Sequence, residues 1–476
     1  MDIPFYETTG VLWPVYLLLV LGTSIHAVLY KSNYRSVVLW IALIWFSPLL
    51  GAIFYSIFGV NRITKTAKSL KNIPKDHRPH PSPVCDENHL VEVPDHLIRM
   101  VNFGSRVNPH PLVPGNRVAV YNGGDEAYPE MLDSIHKANS TIILSSYIFN
   151  RDQIGLKFVD ALSEAKKRGV EIRVLVDATG SKYSFPTIFG SLKKAGIIYA
   201  KFLPLKFPFL LTTTNMRNHR KILVIDGKVG FTGGMNISDK KLKKISEASF
   251  HKDIHFKFEG PIVNQFTQAF SEDWFFSVKE KLGQKWFPKL TPKGEILGRS
   301  IIDGPDAYFE KIQLTLLGIL SQAKHTIKIV TPYFLPDATL KSAIKVAVYR
   351  GVRVQIILPG VNNIPLVKWA SYPDLRQLIR EGVEIFESDP PFDHTKLIVV
   401  DDMWSLVGST NLDPRSLRLN FEFNVECYDK ELAINLDDIF EDKKRSSKKL
   451  TLNYIDSLSV FHKIRNGLSR ILSPIL

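Results

Sequence analysis

The chain has very little cysteine. Its 476 residues include only Cys85 and Cys427. Two cysteines cannot build a disulfide framework, and these two do not lie at metal-ligand spacing from each other. Histidine, cysteine, aspartate and glutamate also do not cluster with the spacing of a metal site. The sequence therefore predicts no metal centre and no cofactor.

Charge is missing from two stretches near the N-terminus. Residues 11–30 and 37–60 contain no Lys, Arg, Asp or Glu, and each is long enough to cross a hydrocarbon core of about 30 Å as a helix. A signal peptide is disfavoured, because no basic segment precedes the first stretch and the second follows almost at once. A pair of buried core helices is the alternative. Hydropathy favours a transmembrane hairpin over residues 1–60, with spans at about 11–30 and 37–60.

Basic residues exceed acidic ones, 61 to 47, which gives a net charge of +14. Such an excess indicates an anionic partner, either nucleic acid or an acidic lipid surface. Two basic residues lie between the apolar stretches, and six follow the second one within residues 61–80. The positive-inside rule then predicts that the large remaining part of the chain is cytoplasmic. Residues 61–110 are interpreted as a basic, proline-containing linker.

Beyond this linker the chain repeats itself. Residues 124–128 resemble residues 304–308, and each segment is followed by an apolar strand and then a helix ending in Arg-Gly, at 168–169 and 350–351. Repeated strand–helix–strand order predicts the α/β class, with βαβ units and a mostly parallel sheet. We expect two similar α/β halves, at residues 111–297 and 298–476.

Each half contains one copy of the pattern His-x-Lys-x4-Asp followed by Gly-x2-Asn, with identical spacing throughout. The members are His219, Lys221, Asp226, Gly233 and Asn236 in the first copy, and His394, Lys396, Asp401, Gly408 and Asn411 in the second. The motif is predicted to be a strand, on which His and Lys share a face and point at one ligand. A single histidine or lysine would be an ordinary structural or solvated residue, but the repeated spacing indicates two half-sites of one pocket.

These residue types suit a phosphodiester. One histidine is predicted to attack phosphorus and form a phosphohistidine, while the other protonates the leaving oxygen and then deprotonates the incoming hydroxyl. The motif aspartates belong to the predicted catalytic set in an orienting or structural role. Charge neutralisation by lysine removes the need for a metal. The predicted ligands of the phosphate oxygens are Lys221, Asn236, Lys396 and Asn411.

The two motifs resemble the HKD motifs of the phospholipase D superfamily. The likeness extends through the apolar hairpin, residues 331–334, residues 408–416 and the terminal Ser-Pro-Ile-Leu at 473–476. This full-length combination resembles the bacterial cardiolipin synthases. The resemblance implies a multi-pass enzyme of the bacterial cytoplasmic membrane, with two α/β sandwich halves related by a pseudo-twofold axis and an active site between them.

The activity implied by the resemblance is transphosphatidylation. One phosphatidylglycerol gives its phosphatidyl group to a histidine and releases glycerol, and a second phosphatidylglycerol accepts the group to form cardiolipin. By analogy, His219 is the nucleophile and His394 the acid/base. Asp253 and Glu422 match acidic positions downstream of the motifs and are candidate partners of the imidazoles.

Several alternatives remain at this point. A hydrolytic phospholipase D would use water as acceptor. A synthase with another donor or acceptor lipid, such as phosphatidylethanolamine, is a further alternative. A nuclease is disfavoured by the apolar hairpin and by the lack of a nucleic-acid module. A non-enzymatic membrane scaffold is disfavoured by the two intact motifs.

Three segments depart from a simple pattern. Ser145 stands near a position where the family commonly has glutamate. The apolar residues 202–211 are predicted to be either a lipid-facing lip or a buried loop. Near the C-terminus, apolar residues at helical spacing can form a membrane-surface helix, although packing on the chain's own domain is favoured. That stripe consists of Ile455, Leu458, Phe461, Ile464, Leu468 and Ile471.

Overall fold

The structure, a computed structural model, describes residues 5–31, 34–59, 85–204 and 216–473. It begins with α1 (Phe5–Tyr30), α2 (Tyr34–Phe46) and α3 (Pro48–Phe54), and α3 continues into a π-helical turn, Tyr55–Gly59. The second apolar stretch is thus divided at Ser47.

The N-terminal helices bury little of their apolar surface. Their small shared core consists of Val20, Ala27, Ile44 and Tyr55. The Tyr55 hydroxyl also lies 2.8 Å from Nδ1 of His26 on α1. Many other apolar side chains of these helices are exposed. Among the described residues, no helix combines the length and the apolar character that crossing a bilayer requires.

A single sheet of 15 strands runs through the rest of the described chain. Its order is β15-β11-β10-β9-β12-β13-β14-β8-β1-β7-β6-β5-β2-β3-β4. The first-half strands are β1 (Val113–Asn122), β2 (Thr141–Ser146), β3 (Glu171–Asp177), β4 (Tyr199–Phe202), β5 (Ile222–Ile225), β6 (Val229–Gly233) and β7 (Ile254–Glu259). The second-half strands are β8 (Ile296–Asp303), β9 (Thr326–Val330), β10 (Arg353–Pro359), β11 (Glu384–Ser388), β12 (Leu397–Val400), β13 (Trp404–Gly408), β14 (Glu422–Tyr428) and β15 (Ser447–Lys449).

The strand order confirms the predicted duplication. Across the sheet, the strands of the first half have the order β4-β3-β2-β5-β6-β7-β1, and those of the second half have the order β11-β10-β9-β12-β13-β14-β8. In each half this is the fourth, third, second, fifth, sixth, seventh and first strand along the chain. The two copies join where β1 pairs with β8, antiparallel, from Val113 opposite Gly298 to Asn116 opposite Ile296. Each motif strand, β5 and β12, occupies the same place in its own half.

The prediction of a mostly parallel sheet is wrong. Only β2, β3 and β4, and their counterparts β9, β10 and β11, are parallel to one another. The motif strand β5 instead forms a hairpin with β6 and pairs antiparallel with β2 as well. The cause is the short turn at Asp226 and Gly227, which reverses the chain and leaves no room for a crossover helix.

The helices after the N-terminal group cover the sheet and its ends. They are α4 (Asp95–Val107), α5 (Gly124–His136), α6 (Gln153–Lys167), α7 (Phe189–Lys194), α8 (Val263–Val278), α9 (Lys311–Gln322), α10 (Ala338–Tyr349), α11 (Pro365–Arg380), α12 (Pro414–Arg418), α13 (Lys430–Arg445), α14 (Leu452–Ser457) and α15 (Val460–Ile471). Within the predicted linker, α4 packs on α9, where Gly318 leaves space for the ring of Phe103.

One hydrophobic cluster contains residues of both halves. Aromatic contacts cross between the halves within it: the rings of Phe266 and Phe423 lie 4.8 Å apart, and those of Phe202 and Phe421 lie 5.1 Å apart. All four rings are buried. The halves are therefore held together by apolar packing directly beneath the motif segments, which restricts their relative movement.

Two predicted segments have different outcomes. Within residues 202–211, Phe202 and Leu203 are buried, and residues 205–211 lie outside the described residues.

The prediction that the C-terminal stripe packs on the chain's own domain is wrong for α15. Ile455 is buried on α14, but Phe461, Ile464, Leu468 and Ile471 are exposed, while Asn466 and Ser469 on the opposite face of α15 are buried.

Candidate active site

Both motif histidines lie where a short segment of one half pairs with the other half. The backbone N–H of His219 donates to the carbonyl of Phe421 at 2.9 Å, and that of His394 donates to the carbonyl of Lys252 at 2.8 Å. These are equivalent contacts made in opposite directions across the interface. The structure therefore brings the two motifs together between the halves, in one buried site.

Each histidine is hydrogen bonded to a carboxylate of the opposite half. Nδ1 of His219 lies 3.0 and 3.1 Å from the carboxylate oxygens of Glu422, at the start of β14. Nδ1 of His394 lies 2.8 Å from Oδ2 of Asp253, which immediately precedes β7. A carboxylate only accepts hydrogen bonds, so Nδ1 carries the proton and Nε2 keeps its lone pair. Both rings thus present an unprotonated Nε2 for chemistry at phosphorus.

The two lysines are held close to their histidines. Nζ of Lys221 donates to the carbonyl of His219 at 2.5 Å, and Nζ of Lys396 donates to that of His394 at 2.7 Å. Nζ of Lys396 also lies 3.0 and 3.1 Å from the two ring nitrogens of His394. Each lysine thus lies against its histidine, but both residues precede the motif strands, β5 and β12, and are not part of them. Both ammonium groups are buried.

Burial and mutual repulsion set the charge of these groups. Burial lowers the pKa of His219 and lowers that of His394 further, and the ammonium of Lys396 adds to the effect at both rings. The imidazoles are therefore neutral at pH 7, the state that a nucleophile or general base requires. Burial also lowers the pKa of Lys221 well below its usual value and that of Lys396 to about 7.

The two carboxylates remain ionised although they are fully buried. Burial by itself raises the pKa of Glu422, but its interaction with His219, together with Lys221 and the hydroxyl of Ser409, lowers the pKa by more. For Asp253 the charge of Lys241, followed by the interaction with His394, outweighs burial and lowers the pKa. Each carboxylate is thus able to stabilise the positive charge that its histidine acquires when the ring bonds to phosphorus or takes a proton.

The partners of the two carboxylates differ between the halves. Glu422 accepts from the hydroxyl of Ser409 and from the amide of Asn420 at 3.2 Å. Asp253 instead accepts from Nζ of Lys241 at 2.7 Å. The position that corresponds to Ser409 is Gly234, where a Cβ atom would lie 2.2 Å from Oδ1 of Asp253. The close approach of Asp253 therefore excludes a side chain at Gly234.

Sequence reasoning missed Lys241 and two aromatic residues. The ring of Tyr147 lies 5.3 Å from that of His219, and the ring of Tyr333 lies 6.4 Å from that of His394. Lys241 stands five positions after the motif asparagine, where the second copy has Ser416. The sequence signal for Lys241 is found only when the two copies are compared, because one copy has a charged residue at this position and the other does not.

The motif aspartates are not brought into this site. Asp226 accepts from the backbone N–H groups of Asn139, Ser140 and Thr141 at 2.9, 2.7 and 2.9 Å. Asp401 accepts from those of residues 324, 325 and 326 at 2.7 to 2.8 Å. At about 3.3 Å per residue, a strand places each aspartate roughly 20 Å from its histidine. Both aspartates hold the backbone at the start of β2 and β9, which is consistent with the orienting or structural role predicted for them.

The motif asparagines are buried and anchored through one end of the side chain. Oδ1 of Asn236 accepts from the backbone N–H of Ile148 at 3.1 Å, which leaves its amide hydrogens for a ligand. Nδ2 of Asn411 donates to the hydroxyl of Ser416 at 3.3 Å. Ser145, on β2, is buried beside the motif strand, and among the described residues its hydroxyl has no hydrogen-bond partner.

The charge of the site suits a monoanion. Lys221, Lys241 and Lys396 face the carboxylates of Asp253 and Glu422, an excess of one positive charge when all five are ionised. A phosphodiester carries one negative charge and would balance it. Within the described ranges, no group of three or more His, Cys, Asp or Glu side chains is arranged to hold a metal ion.

Comparisons with known proteins agree with this geometry. Residues 131–274 and 316–444 match the family described as cardiolipin synthase, PLD-like domain. A cardiolipin synthase of Geobacillus thermodenitrificans is 33% identical over 92% of this chain and 88% of its own length. A cardiolipin synthase 2 of Staphylococcus epidermidis is 30% identical over 94% of this chain and 93% of its own.

A solved structure shows the same fold at low sequence identity. The phosphatidylserine synthase of Haemophilus influenzae superposes with a TM-score of 0.63 over 79% of this chain and all (100%) of its own, with 14% of residues identical. Taken with the two paired motifs and the matched family, these likenesses lead to one conclusion. The chain belongs to the cardiolipin synthase family and is a phosphatidyltransferase of the phospholipase D superfamily.

Proposed function

We propose that the enzyme transfers a phosphatidyl group from one phosphatidylglycerol to another, producing cardiolipin and glycerol without a metal ion or cofactor. The observation that carries the mechanism is the crossed pair of dyads, His219 with Glu422 and His394 with Asp253. Two neutral imidazoles, each with an unprotonated Nε2, supply both a nucleophile and a proton carrier. The buried lysines supply the positive charge that a metal would otherwise contribute.

The first step breaks the bond from phosphorus to the glycerol headgroup. On substrate binding, Nε2 of His394 gains a proton from solvent. Nε2 of His219 then attacks phosphorus, and the departing glycerol oxygen takes that proton from His394. The Glu422 carboxylate stabilises the positive charge on the phosphorylated ring of His219. Protonation of His394 becomes favourable only when the phosphate anion offsets the charges of Lys396 and Lys241, so substrate binding prepares the acid.

The second step reverses these roles. His394, now neutral, takes the proton from a hydroxyl of the second phosphatidylglycerol, and that oxygen attacks the phosphorus. The bond between phosphorus and Nε2 of His219 breaks, which restores the free enzyme. One phosphodiester replaces another, so no nucleotide-activated lipid is consumed. The role of each histidine follows the family resemblance, with Lys221, Lys396, Asn236 and Asn411 as ligands of the phosphate oxygens.

The product distribution tests the proposal. Purified enzyme in detergent, with chelator present, is given phosphatidylglycerol alone, and the lipids are resolved by mass spectrometry. Cardiolipin with an equal amount of glycerol supports the synthase. Phosphatidic acid without cardiolipin would identify water as the acceptor and overturn the proposal. A new diester formed only when phosphatidylethanolamine is added would reassign the acceptor, and dependence on a restored divalent ion would overturn the metal-free mechanism.

Variants connect the product to the site. We expect His219→Ala and His394→Ala each to lower turnover by roughly 10³-fold or more, because each removes a group that bonds to phosphorus or moves a proton. His136→Ala is the matched control, since His136 is an exposed histidine on α5. Substantial turnover in either motif variant would contradict the two-histidine mechanism.

We further propose that the N-terminal segment is a transmembrane hairpin, with the catalytic halves in the bacterial cytoplasm. The uncharged sequence at 11–30 and 37–60 supports it, as do the exposed apolar side chains of Leu18 and Leu39, each 71% exposed. Residues 61–110 would then join the hairpin to the two halves at 111–297 and 298–476. Labelling of cysteines introduced into the halves by a membrane-impermeant reagent, added to intact cells, would contradict the cytoplasmic assignment.

A further inference from the structure

The C-terminal helix α15 has its polar face turned inward and its apolar face turned outward. Phe461 is 85% exposed, Leu468 61% and Ile471 71%. Helices that pack on their own domain normally bury such residues. The exposed stripe consists of Val460, Phe461, Ile464, Leu468, Ile471 and Leu472.

Specific polar contacts fix this orientation. The guanidinium of Arg465 lies 4.3 Å from the ring centroid of Trp369 on α11, and Nη2 of Arg470 lies 2.9 Å from Oδ1 of Asp374 on the same helix. Asn466 and Ser469 are buried between these contacts. Rotating α15 to bury its apolar stripe would break the stacking and the ion pair and would expose both buried polar side chains. The outward stripe is therefore built into the fold.

Basic residues flank the stripe on both sides. At 100° per residue, Arg465 follows one edge of the apolar arc, and Lys463 and Arg470 lie beyond the other. Residues 457–473 contain no Asp or Glu. Arg465 is stacked on Trp369, but the side chains of Lys463 and Arg470 remain exposed. Basic charge beside an apolar stripe attracts anionic headgroups while the stripe enters the acyl region. A second copy of this face would instead bring like-charged flanks together.

The stripe also lies close to the second motif. A cleft of about 320 Å³ is lined by Arg470 and Ile471 of α15 together with Pro414, Leu417 and Arg418 of α12. Asp413, the N-cap of α12, follows the motif residue Asn411 by two positions. Insertion of the stripe into a bilayer would therefore hold this side of the active site at the lipid surface.

We propose that α15 is a membrane-docking helix whose exposed apolar face inserts into the acyl boundary of an anionic bilayer and presents the active site to its lipid substrate. The proposal rests on the function proposed above for the choice of partner. Its central observation, the inverted orientation of α15, is independent of that function, and so is the insertion measurement below. The N-terminal segment would anchor the enzyme, while α15 would set the orientation of the halves on the surface.

The test measures the depth of labels on the full chain. In a Cys85→Ser background, with Cys427 buried, Phe461→Cys or Leu468→Cys is spin-labelled and the enzyme is reconstituted in vesicles of phosphatidylglycerol and phosphatidylcholine. Val346→Cys is the matched control, because Val346 is 54% exposed on α10. We expect the labels at 461 and 468 to become accessible to oxygen and protected from an aqueous nickel complex, while the control stays aqueous.

Three outcomes would overturn the proposal. Labels at 461 and 468 that remain accessible to nickel would show that the stripe does not insert. Strong dipolar coupling between labels on different molecules would identify a second copy as the occupant. Equal insertion into pure phosphatidylcholine would remove the role given to the basic flanks.

A functional comparison separates this inference from the proposed reaction. Phe461→Gln combined with Leu468→Gln is expected to lower turnover of vesicle-bound phosphatidylglycerol roughly tenfold or more, the effect of losing one or two buried apolar side chains. Turnover of short-chain phosphatidylglycerol dispersed in detergent should be unchanged, and Val346→Gln should leave both rates unchanged. An equal loss in vesicles and detergent would contradict membrane docking. A failure of the proposed reaction would appear as a missing product with label insertion intact.

Discussion

The crossing of the two dyads can be tested by neutralising one carboxylate at a time. Glu422→Gln keeps the size and one acceptor oxygen but removes the charge that faces His219. The hydrogen bond then changes from charge-assisted to neutral, and its contribution when a cationic ring forms falls from about 1.5–3 to about 0.5–1.5 kcal/mol. At 1.36 kcal/mol per factor of ten, this difference of about 1–1.5 kcal/mol should lower the rate of phosphoenzyme formation roughly 5- to 10-fold. Both side chains are buried, so solvent does not screen the loss.

The assay pairs kinetics with ring chemical shifts. In enzyme labelled with ¹³C and ¹⁵N at histidine, Glu422→Gln should shift the resonances and lower the pKa of His219, which belongs to the other half, and leave His394 nearly unchanged. Asp253→Asn should do the converse. With a phosphatidyl ester of p-nitrophenol, whose leaving group needs no proton, the first-turnover burst should be restored in Asp253→Asn but not in Glu422→Gln.

The opposite pattern would refute the reasoning. If Glu422→Gln perturbed His394, or if Asp253→Asn perturbed His219, each carboxylate would serve the histidine of its own half. If the nitrophenyl substrate restored the burst in Glu422→Gln instead, the nucleophile and the acid would be exchanged. Thermal melting of both variants provides the stability control, because removing charge from a buried hydrogen-bonded carboxylate also costs about 1–3 kcal/mol in unfolding free energy.

Three further predictions concern other parts of the site. Asp226→Asn and Asp401→Asn should each lower the free energy of unfolding by about 1–3 kcal/mol, because each carboxylate accepts hydrogen bonds from three backbone N–H groups. Denaturant melts should show this loss. Normal stability with a thousandfold loss of kcat would contradict it. The kcat/KM profile should keep its acid limb below pH 6.5, since burial lowers the pKa of His219 and this ring must be neutral to attack phosphorus. The alkaline limb should lie near pH 7, where Lys396 loses its proton. Lys396→Arg, which stays charged, should move only the alkaline limb upward, and an unmoved limb would exclude Lys396 as its source. Gly234→Ser should disable the enzyme, because the new Cβ atom would lie 2.2 Å from Oδ1 of Asp253. Both His394 and Lys241 hold that carboxylate in place. Activity equal to that of the parent enzyme would show that Asp253 is free to move.

Repetition and spacing were enough to predict that the two motifs form one site. Each lysine lies against the histidine two positions before it, in the segment that leads into the motif strand. The repeat of strand and helix segments likewise predicted two similar halves. Sheet direction was not predictable in this way, since it depends on whether the chain reverses after Asp226, and that turn looks the same in sequence whether it leads to a hairpin or to a helix.

Contacts between distant parts of the chain explain the other errors. Asp253 and Glu422 were recognisable as acidic positions, but which ring each one contacts depends on how the halves pack, and neither motif contains that information. The aspartates share a motif with the histidines, but the motif strand lies between each aspartate and its histidine, so the two residues are a strand length apart. The amphipathic pattern of α15 predicts a helix with one apolar face, and it is the polar partners Trp369 and Asp374 on α11 that decide which face points inward.

The crossed dyads also bear on why both motif copies belong to one chain. Neither half completes an active-site dyad by itself, because His219 depends on Glu422 and His394 on Asp253. A displacement of one half relative to the other would therefore break both dyads at once, together with the backbone bonds at Phe421 and Lys252. The buried contact between Phe266 and Phe423 resists that displacement. Yet the two dyads are free to diverge, since Ser409 supports one and Lys241 the other. Duplication within a single chain thus permits two similar sites to acquire the different proton affinities that a nucleophile and an acid/base require.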